Sequence, residues 1–304
     1  MANTNKEHYF FSDQSYICFL TACRSAIELA KIPLYSSQYS RKDYNQHQLI
    51  LLLLLKEYIG HGYREVTQLA EISQIIQEFI GLTEIPHYST LCKFASRISS
   101  QLLNQVFRKT CYLMSKINNH VSIAAIDSTG FVTDTASYYY SSRTDKLRKE
   151  FLKVTISVNT DNLSILAVKT TNSRCHDSQV APQILRASHQ MKKADCYVMD
   201  KAYDSESIHS FIHLKLNSDA VIPLRNWNAS YVSGTYRQKM AFEFDYETYH
   251  QRNKVETVFS VIKRKFGEKI NARKYYTKLK EIKLKCIVYQ LDLFLKYQRV
   301  FNVF

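Results

Sequence analysis

An all-helical stretch followed by an α/β domain is the architecture the sequence predicts, on three observations. Apolar residues recur with a helical period through about residue 118. From Val121 the period shortens to that of buried strands. The elements then run β-β-β-α-β-α-β-α, the order of an α/β fold. The helical part reads as Gln14 to Ala30, Tyr44 to Ile59, Val66 to Ile80, Ser89 to Ile98 and Leu102 to Ile117. Gly60-His61-Gly62 and Gly81 supply breaks, and Ser89 an N-cap. Two short helices ending at Ile98 have the spacing of a helix-turn-helix, whose role is either DNA binding or dimerisation.

In the second part, Ser122 to Asp127 is a short apolar run ending in a carboxylate. Phe151 to Val158 and Leu163 to Thr170 are β-rich and joined by the turn Asn159-Thr-Asp-Asn162. A helix over Ser178 to Met191 precedes the strand Cys196 to Asp200. Then come a helix over Ser205 to Leu216, a strand over Ala220 to Leu224, and a polar irregular tract, Arg225 to Tyr246, with the single Trp, Trp227. Long helices over Tyr249 to Phe266 and Leu279 to Tyr297 close the chain. The expected division is therefore a helical domain, 1–118, and an α/β domain, 119–304.

Composition narrows the function. The 304 residues are 45% hydrophobic with only 6 Gly and 4 Pro, which describes a globular chain. With 41 Lys and Arg against 27 Asp and Glu, the net charge of +14 draws the protein toward polyanions. The most apolar run, Leu49 to Leu55, is far short of the ~20 residues of a spanning helix, so no membrane role is expected. The N-terminus has no basic region followed by an apolar stretch, so no secretory signal is expected. The seven cysteines form no Cys-x-x-Cys pair, which suits a reducing cytoplasm and argues against structural zinc.

Asp127 and Asp200 each stand at the end of a predicted strand, where a carboxylate is held rigidly at a sheet edge. Converging carboxylates bind Mg²⁺, and two such ions ~3.5–4 Å apart serve phosphodiester chemistry. Further on, Tyr249, Arg252, Glu256 and Lys263 are spaced by 3, 4 and 7 residues, one face of a helix of 3.6 residues per turn. Periodicity alone reads this as an amphipathic helix with Val255, Val258, Phe259 and Ile262 as its apolar stripe.

The pattern Tyr-x2-Arg-x3-Glu-x6-Lys resembles the Tyr-Arg-Glu-Lys signature of insertion-sequence DDE transposases. Asp127-Ser-Thr-Gly130 and Asp200-Lys-Ala-Tyr-Asp204 resemble the regions of their first and second Asp, with Ala202 where the family commonly carries Gly. The resemblance covers about Ile123 to Leu295. It implies an RNase H-like sheet in which Asp127, Asp200 and Glu256 hold two Mg²⁺ or Mn²⁺ ions. It also implies DNA contacts from Tyr249, Arg252 and Lys263, and it predicts no large β insertion between Asp200 and Glu256. The implied activity is cutting at the ends of the chain's own mobile element, then joining the freed 3′-hydroxyl to target DNA. The partners would be double-stranded DNA, as terminal inverted repeats and target, and a second copy of the chain on that DNA. The location would be the cytoplasm, at the nucleoid. The alternatives are a nuclease of the same fold without strand transfer, and a retired transposase that only binds DNA.

Basic residues cluster near this signature. Between His250 and Arg299 there are fourteen Lys and Arg against four acids, among them Arg264 and Lys265, which reads as one phosphate-binding face. Trp227 either stacks on a flipped base or packs its loop onto the core. The acids Asp134, Asp177, Asp204 and Glu206 read as caps or solvated groups, with Asp204 the alternative ligand and His176 a structural neighbour.

Overall fold

A computed structural model describes residues 4–117, 119–133, 151–172 and 175–301, and the chain divides into two compact units. The helical unit contains α1 (Thr4–Leu29), α2 (Gln46–Ile59), α3 (Tyr63–Ile72), α4 (Gln74–Ile80), α5 (Tyr88–Arg97) and α6 (Ser100–Ser115). The expected helix over Val66 to Ile80 is interrupted at Ser73, which leaves helical geometry and caps α4 by accepting a bond from the Ile76 amide. His87, not Ser89, caps α5. Leu49 to Leu55 are all buried in α2, as an all-round apolar helix requires.

The long helix α12 (Tyr275–Phe301) corrects the expected domain boundary. Residues from Lys274 onward cluster with those up to Met114, so the helical unit is built from both ends of the sequence and the α/β unit, Ser115–Arg273, lies between them. The cause is burial: α12 packs against α1, α2 and α5, placing Ile282, Ile287, Val288 and Leu291 in their shared core. Polar groups follow it inward. Glu57 accepts from Lys56 at 2.6 Å and from Lys285 at 3.3 Å, with all three side chains no more than 5% exposed.

The α/β unit is a six-stranded mixed sheet: β1 (Ile123–Thr133), β2 (Phe151–Asn159), β3 (Ile165–Asn172), β4 (Cys196–Met199), β5 (Asp219–Val221) and β6 (Lys269–Ile270). The order is β3-β2-β1-β4-β5, antiparallel among the first three and parallel from β1 through β4 to β5. β6 pairs with the far end of β1, at Val132 and Thr133. Helix α7 (Asp177–Met191) covers one face, where Ala124 and Ile126 of β1 meet Ala181, Ile184 and Leu185. Helix α11 (Asn253–Phe266) lies along β1 and β2, and its buried stripe is Val255, Val258, Phe259 and Ile262, as predicted.

Between Asp200 and Glu256 the only strand is β5, so the expected absence of an inserted sheet holds. The tract contains α8 (Glu206–Ser210), a π-turn over Phe211–Leu216, α9 (Thr235–Phe242) and α10 (Tyr246–His250). No helix among the described residues is long and apolar enough to cross a membrane. All seven cysteines are free thiols; Cys23, Cys111 and Cys286 are core residues, while Cys18 and Cys92 are exposed.

Candidate active site

β1 does not end at Asp127. It runs on to Thr133, in antiparallel register with β2 as far as Val132, while its parallel ladder with β4 stops at the pair Ile126 and Met199. Asp127 is thus the first residue of β1 beyond β4, and Asp200 the first residue after β4. Side chains alternate along a strand, so Asp127 faces away from Ile126 and α7, toward α11. Gly130 of the same motif is closely approached: a Cβ there would stand 3.0 Å from the Phe151 ring, so the ring would have to shift.

The Tyr249-to-Lys263 segment is two helices rather than one. Bonds of the i→i−3 kind, Arg252 N to Tyr249 O and Val255 N to Arg252 O, tighten the chain between α10 and α11. Tyr249 therefore lies in α10, Arg252 caps α11, and Glu256 is in its first turn. Arg252 links two of the three candidate carboxylates: Nη1 donates to Asp127 at 2.5 Å and Nη2 to Glu256 at 2.7 Å. Asp200 instead accepts from the Lys201 amide at 2.6 Å. Burial pushes the Asp127 carboxyl pKa up; the Ser128 amide and Arg252 oppose this, and Asp200 and Glu256 add to it. Asp127 thus feels both other acids electrostatically.

Does this set suit a divalent ion? Three carboxylates offer hard oxygen donors, the kind Mg²⁺ and Mn²⁺ take. The guanidinium between Asp127 and Glu256 shows that a cation fits there. Among the described residues no three acidic, His or Cys side chains already stand as a ready metal cage. The donor types fit, with Arg252 standing where an ion would compete.

The remaining predicted residues separate. Lys263 pairs with Glu268 at 3.0 Å, its ammonium 5.4 Å from the Phe131 ring centroid, while Arg264 and Lys265 are exposed at the end of α11. Three of the fourteen basic residues between His250 and Arg299 take no part in an exposed basic face. Lys278, Lys280 and Lys285 are buried in the helical unit, because α12 serves that unit's core; Lys280 donates to the Ser96 carbonyl and Lys285 pairs with Glu57. Trp227 neither packs on the core nor stands alone. It is 45% exposed and edge-on to Phe244, whose ring also contacts Tyr246 and Tyr249. Asp134 lies outside the described residues.

Asp204 is committed elsewhere and is no alternative ligand. Both its oxygens are used, by Arg237 Nε at 2.7 Å and by Arg237 Nη2 and the Arg225 amide at 2.9 Å. Glu206 accepts from the Tyr236 and Arg237 amides at the start of α9, beside Gly234, whose φ is +95° and where a Cβ would collide with the Glu206 carboxylate. These two acids pin the polar tract carrying Trp227, and Arg237 was missed because nothing local marks it. Burial raises the Asp204 pKa, but Arg237 and the Arg225 amide outweigh it, leaving the value below normal. The sign follows: this contact stabilises above the ordinary carboxylate pKa of about 4 and is lost as pH falls through the lowered value. Emission from Trp227, the only tryptophan, is expected to change at that acid transition, and Asp204→Asn to show the acid-form spectrum already at neutral pH.

Also unforeseen is a polar cluster on the α7 face. Ser128 Oγ donates to Asp177 at 2.7 Å, lies 2.7 Å from Thr155 Oγ1 and 3.1 Å from the Tyr203 hydroxyl. Asp177 in turn pairs with Lys153 at 2.8 Å, so it is neither a free cap nor a solvated acid. Burial, then Asp177, pushes the Tyr203 pKa far up, keeping it a neutral hydroxyl.

A mixed sheet of this order, with acids beyond two adjoining parallel strands and a third on a later helix, defines an RNase H-like α/β protein. The Transposase DDE domain family matches residues 120–291, more than half of the chain. The chain belongs to the DDE transposase family. Its fold is similar to that of a piggyBac transposase, solved by cryo-electron microscopy as a synaptic complex with hairpin DNA. The TM-score is 0.50 at 8% identity, covering 95% of this chain and 74% of that one. No protein of curated function matches the chain in sequence.

Proposed function

We propose that this transposase cuts DNA at the ends of its own element and joins the freed 3′-hydroxyl to target DNA, with Asp127, Asp200 and Glu256 holding two Mg²⁺ or Mn²⁺ ions. The observation that carries this reading is Arg252 bridging Asp127 of β1 and Glu256 of α11, with Asp200, the residue after the adjoining β4, close enough to act on the Asp127 carboxyl. When bound, the ions activate the attacking oxygen and stabilise the leaving one. The Tyr249, Arg252, Glu256 and Lys263 spacing supports a reading within the Tyr-Arg-Glu-Lys insertion-sequence group.

The chain's own residues do the rest. Arg252 turns its fork from the carboxylates to the scissile phosphate, and Lys263, Arg264 and Lys265 hold the flanking backbone. Trp227, Tyr246 and Tyr249, gathered on Phe244, offer ring faces to unpaired bases. In the helical unit, Arg41, Lys93 and Arg97 rim a groove of about 730 Å³ lined by Ser, Thr and Tyr hydroxyls, which favours DNA contact as that unit's role. Pairing of two element ends calls for two copies of the chain on DNA.

The test is cleavage of a duplex carrying the element's end, with Mg²⁺ or Mn²⁺, by wild type and Glu256→Gln. Wild type is expected to cut and to join a pre-cut end to target. The variant is expected to bind DNA and cut more than about 100-fold more slowly, beyond the loss typical of a residue that merely supports a ligand. Cutting without joining would leave a nuclease, and binding without cutting a retired transposase.

A further inference from the structure

We infer that Tyr203 is a positioning residue, which through Ser128 and Asp177 fixes where Asp200 stands relative to Asp127. The inference rests on the reading of Asp127, Asp200 and Glu256 as a metal-holding trio. Asp200 has already left its strand, since the β1–β4 ladder ends one residue earlier, at Met199. Backbone pairing therefore holds Asp127 firmly, through β2, and leaves Asp200 on a turn. That turn is the 3₁₀ segment Lys201–Tyr203. It carries the chain across the sheet edge, so that the Tyr203 ring is buried on the α7 face while Asp200 precedes it.

There the hydroxyl meets Ser128, the residue next to Asp127, at 3.1 Å, and Asp177 at 3.3 Å. A short closed path results: Asp200, the turn, the Tyr203 hydroxyl, Ser128, then Asp127. Its middle is held from three other places. Thr155 of β2 and Asp177 of α7 both contact Ser128 Oγ, and Lys153 fixes Asp177 while donating to the Cys175 carbonyl at 3.1 Å. A part-buried network in which every hydroxyl and the carboxylate is bonded is more rigid than a free turn. A divalent ion of strict geometry reads that rigidity as affinity, and loss of such supporting bonds costs about 10–100-fold.

The experiment titrates Mn²⁺ into full-length wild type, Tyr203→Phe and Ser128→Ala, following the free ion by electron paramagnetic resonance. Melting curves and cleavage against Mn²⁺ concentration are recorded alongside. Tyr203→Phe keeps the ring and loses only the hydroxyl. It is expected to melt within a few degrees of wild type, to bind Mn²⁺ about tenfold more weakly, and to need correspondingly more Mn²⁺ for half-maximal cutting. Ser128→Ala is expected to move the same way. Binding curves that coincide with wild type, whether or not the melting temperature drops, overturn the positioning role. Wild type that binds no Mn²⁺ overturns the carboxylate trio itself, and the inference with it.

Discussion

Replacing Glu57 with alanine is expected to destabilise the protein by about 3–5 kcal/mol, the cost of stripping a buried charge of its partner. Two lysines pair with this carboxylate, Lys56 from the same helix and Lys285 from α12, and both are buried. Burial alone would lower the Lys56 pKa. Glu57 more than reverses that, so the value lies above normal. A lysine raised in this way stabilises fully below its unfolded pKa of about 10.4 and ceases to as pH climbs through the folded value. Thermal unfolding followed by circular dichroism should therefore show a melting temperature lowered by roughly 6–20 °C at neutral pH, with the gap to wild type narrowing in strong alkali. The triple change Lys56→Met, Glu57→Leu, Lys285→Met removes these three charges at once, leaving the buried Glu281 that also acts on Lys56, and is expected to cost less than Glu57→Ala. A single substitution as mild as the triple one would show that the three groups are not coupled.

Arg252→Ala should have opposite effects on two properties of the same site. Without DNA, the guanidinium is the counter-ion of Asp127 and Glu256, and its Nε has no acceptor. Removing it leaves the carboxylates facing one another, so Mn²⁺ is expected to bind the free protein more tightly than wild type. In the function proposed above, the same change also takes a charged fork away from the scissile phosphate. A loss of about 2–5 kcal/mol is ordinary for truncating one partner of a buried charge pair, which lowers cleavage on the order of 100-fold or more. Arg252→Lys is expected to recover only part of it, because an ammonium cannot bridge two carboxylates in fixed geometry. Mn²⁺ titration and end-cleavage assays on one preparation check both halves. Unchanged or weaker Mn²⁺ binding would contradict the counter-ion role of Arg252.

The parts of the fold that were legible are those written in local pattern. The β-β-β-α-β-α-β order follows from period and turn residues, and the carboxylates follow from short motifs whose spacing survives in the helices. What escaped was written across the chain. Asp177 meets Ser128 over 49 residues, Tyr203 meets Ser128 over 75, and Arg237 meets Asp204 over 33. No window of sequence contains such pairs. The lysines of α12 misled for a different reason: amphipathic spacing says that a face is buried but not against what, and a lysine facing a buried glutamate reads in sequence like one facing a phosphate. The break between Tyr249 and Glu256 was hidden because i→i−3 and i→i−4 turns place side chains almost alike over one turn.

The return of the chain to the helical unit also bears on synthesis. Helix α12 leaves the ribosome only after every residue of the α/β unit has been made, and until then the apolar faces of α1, α2 and α5 that it covers have no partner. At about 5–20 residues per second, the 159 residues from Ser115 to Arg273 keep that cleft open for roughly 8–32 s. A message broken anywhere in that interval yields an α/β unit that is incomplete and a helical unit that cannot close.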